Sequence, residues 1–273
     1  MDFRLKNGDS EMTFLDHLEA LRWHIVRSVV VILVLACVAF TNKEILFDGI
    51  ILAPKNENFF TYRVLCYLSR KLHIDFCLGK VDFTLISMDM SGQFMTHMWI
   101  AFMAGFVVGF PYFIWELWRF IKPALSNNEL KYSKGIVFFT TLLFVIGLLF
   151  GYYVITPLSI NFLGNYHVSE EVKNAISLDS YINIVTVLSL STGLIFELPM
   201  VIYFLSKLGV ITPQFMRKYR KHAMVVNLII AAFITPSPDV TSQMLVAVPL
   251  FVLYEISIYV SAMVFKRKQL KQV

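Results

Sequence analysis

Charge is what this sequence has least of. Only 16% of its 273 residues are Asp, Glu, Lys or Arg, where soluble domains carry about 25%. With 57% hydrophobic and 15% aromatic residues, little polar sequence remains for a separate soluble domain, so residues 1–273 read as a single membrane domain. Catalytic signatures are missing too. There is no Gly-x-Ser-x-Gly of a serine hydrolase, no His-Glu-x-x-His of a metalloprotease and no glycine loop to cradle a phosphate. The histidines (His17, His24, His73, His97, His167 and His222) have no metal-ligand spacing. These absences argue against an enzyme and against any cofactor. The net charge of +5 fits basic cytoplasmic loops better than nucleic acid, since no aromatic–basic interleaving accompanies it. Cysteine is scarce: Cys37 lies in an apolar run and reads as packing. Cys66 and Cys77 share one loop, and whether they pair depends on the side that loop occupies. No internal repeat is visible, which counts against an inverted-repeat transporter.

What is present is a set of long apolar runs: Trp23–Phe40, Phe94–Trp115, Gly135–Thr156, Ile182–Leu205, Ala223–Ile234 and Met244–Phe265. A spanning helix needs about 20 apolar residues. The fifth run is the short one, and with Pro236, Pro238 and the polar residues that follow it predicts a short hairpin of the last two spans. The expected fold is therefore an all-α membrane protein with six transmembrane helices. The two short outside loops hold one basic residue, Lys173, and none between Thr235 and Gln243. The other segments are rich in Lys and Arg, which puts both termini in the cytoplasm. The polar start, MDFRLKNGDSEMTFLDHLEALRWH, has no short apolar core before a small-residue site and does not read as a cleaved signal peptide. Residues 1–22 are expected to be a cytoplasmic segment with an amphipathic helix on the membrane surface. Residues 41–86 form a long external loop, 116–134 a cytoplasmic loop and 264–273 a cytoplasmic tail. The external position places Cys66 and Cys77 in an oxidising compartment if the cell has a periplasm.

Within the fourth run, Glu197 is alone in an uncharged stretch, Val187 to Leu205. A carboxylate at bilayer depth costs at least about 2.5–3.5 kcal/mol on insertion scales. It stands ten residues from the cytoplasmic Lys207, about 15 Å in at 1.5 Å per residue, near the midplane. Such a residue lines a polar interior, meets a partner or carries a proton; packing against a neighbouring helix is the plainer reading. Prolines inside spans (Pro111, Pro199, Pro249) are expected to kink them, and Pro199 couples its bend to Glu197. Thr13 and Asp16 resemble a capping box. After the second span, Trp118 and Phe120 offer rigid apolar surface at headgroup level, Pro123 fixes a turn, and Glu129 is an acidic group on a basic face. Arg binds carboxylate in bidentate geometry, so a cationic peptide could dock there; a local pair of Glu129 with Lys131 is the simpler alternative.

Together these segments resemble the TatC family, the multispanning core of the twin-arginine protein translocase. His17-Leu-Glu-Ala-Leu21-Arg22 is similar to the family's His-Leu-x-Glu-Leu-Arg. Pro111 followed by Trp118-x-Phe120-x-x-Pro123-Ala-Leu125 and Glu129 looks like its first cytoplasmic loop. Gly193-x-x-Phe196-Glu197-x-Pro199 resembles its fourth span. Thr235-Pro with Pro238-Asp239-Val-x-Ser242-Gln243, then Pro249 and Tyr254-Glu255, resembles its last external turn and sixth span. The resemblance implies a glove-like concave bundle in the bacterial inner membrane. It also implies a receptor for twin-arginine signal peptides that works with TatA- and TatB-type single-span proteins, in homo- or hetero-oligomers, to export folded proteins on the proton-motive force. By that likeness Glu129, Glu19, Asp16, Arg22, Leu21, Trp118, Phe120 and Pro123 form the signal-peptide site. Glu197, Phe196, Pro199, Gln243 and Asp239 form an intramembrane polar contact for a partner helix. No metal or nucleotide is implied, and no nucleic acid.

One departure matters. The family's acid before Leu-Arg is Ala20 here, and Glu19 lies one position earlier, a rotation of about 100° on a helix. Glu19 compensates from another azimuth, or Glu129 with Asp16 carries more of the recognition. Two other functions fit the bare residues: a proton-coupled small-solute transporter with Glu197 as carrier, and a scaffold that only gathers membrane proteins.

Overall fold

The computed structural model describes residues 14–72, 83–122, 135–167, 169, 174–235 and 240–269. The first helix, α1 (Phe14–Thr41), is unbroken. The expected surface helix before the first span is therefore not a separate element. No Gly or Pro interrupts Phe14–Thr41, so the amphipathic start simply continues into the apolar run as its first turns. At the far end the chain forms a π-helical turn (Ile45–Ile51), a 3₁₀ turn (Ala53–Lys55) and helix α2 (Phe60–Leu72). A short strand β1 (Thr84–Ile86) then leads to α3 (Gly92–Ile121). Cys66 on α2 is disulfide-bonded, Cys37 is free, and Cys77 lies outside the described residues.

The next span is α4 (Ile136–Phe150), continued through a π-helical turn (Gly151–Ile155) into α5 (Thr156–Asn165). Strand β2 (Ala175–Ser177) pairs in parallel with β1, Leu85 opposite Ile176, and ties the two external segments together. Ser177 caps α6 (Leu178–Ile195), its hydroxyl accepting from the Ser180 amide. The chain breaks at Phe196–Glu197 and resumes as α7 (Leu198–Leu208), with Pro199 in its first turn. Gly209, in the left-handed conformation at φ 82°, closes α7. A short α8 (Pro213–Lys218), α9 (Arg220–Ile234) and α10 (Val240–Gln269) complete the chain.

Five stretches are long and apolar enough to cross a membrane: 18–41, 92–121, 136–165, 178–208 and 243–266. The remaining apolar run falls on α9, which has 15 residues, about 22 Å at 1.5 Å per residue, and packs on α10 as the short arm of the expected hairpin. Pro111 and Pro249 lie inside continuous helices. Among the span prolines, only Pro199 coincides with a break.

Packing runs in sequence from α1 on α3, through α4 and α6, to α7 on α10 and α10 on α9. This leaves α1 at one end of the series, while α9 at the other packs on α10 and also on α6, where Ala231 and Leu188 share one buried cluster. Two crossings are unusually close. A Cβ on Gly105 would fall 2.6 Å from the Ala36 nitrogen, and one on Gly109 3.0 Å from Ile32. On the other pair, a Cβ on Gly147 would fall 2.6 Å from the Phe196 Cβ, and one on Gly151 2.9 Å from the Ser189 Cα. Both use a small residue four positions from another, which lets helix backbones touch in a solvent without a hydrophobic drive of its own. The outer end is filled by Leu46, Ile51, Ile100, Ile160, Tyr181 and Ile182. Tyr181 and Tyr152 donate to Ile51 O (3.0 Å) and Ile50 O (2.7 Å) and so hold the first external turn down.

Candidate functional site

Two buried carboxyls dominate the membrane interior. Glu116, expected in a polar loop, instead lies in the last part of α3 and is only 1% exposed. His24 Nδ1 on α1 contacts its Oε2, and the Tyr112 hydroxyl, one turn back on α3, donates to Oε1 at 2.9 Å. Ser28 is buried beside them, its hydroxyl donating to the His24 carbonyl at 2.9 Å. The loop expected at 116–134 therefore begins later, because α3 continues to Ile121. The polar contact also orients what lies beyond it. Glu19 precedes His24 by five residues on one continuous helix, and α3 ends five residues after Glu116. Each offset is about 7.5 Å along an axis. The N-terminal segment and the first cytoplasmic loop thus leave the same end of the α1–α3 pair.

Of the residues assigned by resemblance to the signal-peptide site, Glu19 and Arg22 are exposed on α1 and Leu21 is half-buried. Arg22 lies over the Trp23 ring at 5.8 Å. Asp16 falls in the first turn of α1. Phe120 is half-buried with its ring edge-on to His24 at 6.0 Å. Trp118 departs from expectation. Its indole is turned inward, 5.2 Å from the Phe204 ring and packed with Ile136, because it fills the gap between the end of α3 and α7. Pro123 and Glu129 lie outside the described residues.

Glu197 is the second carboxyl, 9% exposed and placed in the break between α6 and α7. The break follows from local chemistry. Pro199 has no N–H for the Ile195 carbonyl, so the regular helical ladder is interrupted there and Pro199 takes its place in the first turn of α7. The Glu197 amide instead bonds Leu194 O at 3.1 Å, and its carbonyl accepts from Met200 and Val201 at 2.9 and 3.0 Å. The backbone is thus satisfied and the side chain is not. The Phe144 backbone comes near, but neither carboxyl oxygen has a hydrogen-bond partner among the described residues. Phe196 is wedged against Gly147, with its ring 5.8 Å from Phe150. Gln243 is engaged elsewhere, its amide donating to Leu228 O at 3.1 Å and tying α10 to α9. The structure thus does not join it to Glu197. Asp239 lies outside the described residues. Glu255 meets Arg220 at 2.6 Å at the cytoplasmic end of the hairpin.

Sequence reasoning missed the His24–Glu116–Tyr112 cluster. Tyr112 and Glu116 stand at the i, i+4 spacing of helix neighbours, and that local signal was available. The pairing with His24, 92 positions away, left no trace in local spacing. No group of three or more His, Cys, Asp or Glu able to hold a metal occurs among the described residues.

Comparison with known proteins agrees with this geometry. Residues 16–249 match the family described as Sec-independent protein translocase protein (TatC). A protein of that name from Blattabacterium sp. subsp. Periplaneta americana is 39% identical over 267 residues, covering 97% of this chain and all of that protein. Its counterpart from Aquifex aeolicus is 30% identical, covering 94% and 98%. A crystal structure of the twin arginine translocase receptor TatC superposes with a TM-score of 0.67 at 30% identity, over 91% of this chain and 99% of that one. A component of a protein translocase does not fit the small-solute transporter reading. The chain belongs to the TatC family and is a multi-pass membrane subunit of the Sec-independent Tat protein translocase.

Proposed function

We propose that this chain is the receptor subunit that captures twin-arginine signal peptides at its cytoplasmic face and passes their apolar part toward the membrane site at Glu197. One observation carries the reading: the His24–Glu116 contact makes the N-terminal segment and the first cytoplasmic loop leave the same end of one packed helix pair. Acidic residues of two segments can then share one guanidinium pair. Glu129 is the principal acceptor, with Glu19 and Asp16 assisting from α1. Carboxylate–guanidinium bonds at a partly dry surface are the strong kind, and removal of one partner costs about 2–5 kcal/mol. Leu21, Arg22, Phe120 and Pro123 shape the surface around them, and Trp118 braces it from within. Residues 116–134 and 1–22 are thus recognition segments, and 264–273 is a cytoplasmic tail.

Glu197, flanked by Phe196 and Pro199, is the second half of the reading. A mid-membrane carboxyl without a partner among the described residues fits a polar group on a helix that is not part of this chain. TatA- and TatB-type single-span proteins are the proposed donors, with Gln243 and Asp239 on the neighbouring hairpin. Export would then draw on the proton-motive force through the assembled complex, and nothing in this chain's own chemistry calls for a nucleotide.

The test is site-specific cross-linking of a twin-arginine peptide in membranes. Glu129→Ala should reduce the cross-link at least tenfold, in line with about 1.4 kcal/mol per factor of ten. A twin-lysine peptide should bind the unaltered chain poorly, because lysine keeps the charge and loses the planar fork. Undiminished cross-linking in Glu129→Ala membranes would remove Glu129 from the site.

A further inference from the structure

Helix α2 is built inside out for a soluble element. Its inward side carries hydroxyls, with Thr61, Tyr62 and Ser69 all buried. Its outward side carries Phe60 (57% exposed), Val64, Tyr67 (68% exposed) and Leu68. The spacing 60, 64, 67, 68 places these four on one helical stripe. Arg63 and Arg70 flank the stripe, and Lys71 ends it; all three are exposed. An amphipathic helix that shows its apolar face needs an apolar surround.

The depth of α2 indicates what that surround is. Tyr153 lies 17 residues beyond Ile136 in the continuous span Ile136–Asn165, about 25 Å along its axis. The hydrocarbon core is about 30 Å thick, so Tyr153 sits close to its far boundary. Helix α2 and the residue before it are pinned at that level through Phe59, Phe60, Thr61 and Tyr62. Pro157 cannot donate to the Tyr153 carbonyl one turn below it, and the Thr61 hydroxyl takes that role. The Tyr62 hydroxyl reaches Pro157 O at 3.1 Å and Pro54 O at 3.0 Å; burial pushes its phenol up, so it stays a donor. The ring of Phe59 stacks on Tyr153 at 5.5 Å, and Phe60 meets it edge-on at 5.9 Å.

We propose that α2 is an interfacial helix seated on the phospholipid leaflet away from the chain termini. Phe60, Val64, Tyr67 and Leu68 enter the acyl region, and Arg63, Arg70 and Lys71 meet the phosphates of acidic phospholipids. Arg and Lys side chains bond phosphate oxygens directly, and Tyr67 has the aromatic body and polar tip that favour the boundary. Seated so, α2 fixes the external segment on the bilayer rather than letting it project into the aqueous phase. The inference stands on α2 alone and does not depend on the signal-peptide reading.

The test places photoreactive p-benzoylphenylalanine at position 67, 65 or 34 of the full-length chain. Irradiation is carried out in native membranes and in vesicles of phosphatidylethanolamine and phosphatidylglycerol. Val34 is an exposed position of α1 and reports that the chain is folded and inserted. Phospholipid adducts are expected at 34 and 67, with a yield at 67 about tenfold above that at the half-buried 65. Replacing Arg63, Arg70 and Lys71 with Gln should lower the phosphatidylglycerol share of adducts at 67 by about half or more. Adducts at 34 without any at 67 would overturn the proposal. So would cross-links from 67 to residues 73–82, to a second copy or to another membrane protein. An unchanged phosphatidylglycerol share would overturn the acidic-lipid contact.

Discussion

The α1–α3 and α4–α6 pairs are built on one plan and diverge at one atom group. In each, two glycines four residues apart let backbones touch: Gly105 and Gly109 against α1, Gly147 and Gly151 against α6. In each, a buried glutamate lies within a few turns of the crossing. Glu116 is bonded to His24 and Tyr112, whereas both oxygens of Glu197 are without partners among the described residues. The difference separates two uses of a costly group. A carboxyl satisfied within the chain is a tether, and its removal harms the fold. A carboxyl left unsatisfied is a cost the fold bears, which the proposed contact with a partner helix would offset.

The largest disruption of this comparison is Gly105→Leu. With the Ala36 nitrogen already 2.6 Å from a Cβ position, a longer side chain must separate the helices. Overpacking of this kind costs about 1–3 kcal/mol and more where backbone opposes it. Folded protein should fall sharply in detergent, as read by thermal unfolding and yield. Next is Glu116→Leu, which strands His24 and Tyr112 at a cost on the order of 1–3 kcal/mol. Glu116→Gln keeps an acceptor for His24 and should lose less than half as much; equal losses would mean that packing, not hydrogen bonding, sets the value of this site. Smaller again is Arg220→Gln. Its pair with Glu255 is half-exposed on both sides, so the change should cost under about 1 kcal/mol and fade with added salt.

Much of this architecture is legible in the residues. The six apolar runs, the short last hairpin and the coupling of Glu197 to Pro199 each follow from composition and local backbone chemistry. What is not legible depends on pairing across the chain. Glu116 reads as a loop residue because Trp118, Arg119 and Lys122 follow it, and its burial inside a helix depends on His24, 92 positions earlier, as well as on Tyr112 one turn back. Trp118 reads as a boundary aromatic, but contact with Phe204 on a later span draws it inward. Helix α2 carries an apolar stripe that its spacing could have revealed. Which face meets protein, however, is decided by Thr61 and Tyr62 finding the carbonyls of Tyr153 and Pro157. Proline at 123 and the acids at 129 and 239 lie outside the described residues, so their roles rest on the motifs that carry them.

The smallest expected effect on stability is the most informative. Glu197→Leu removes a buried polar group that has no partner among the described residues, so the isolated chain should unfold at the same temperature as the unaltered protein or slightly above it. The direct measurement is thermal unfolding of purified Glu197→Leu beside co-purification of the single-span Tat partners from the same membranes. Unchanged or raised stability with lost partner capture is the expected result. A drop in stability matching that of Glu116→Leu, with partner capture intact, would contradict the account, because Glu197 would then serve the fold as Glu116 does.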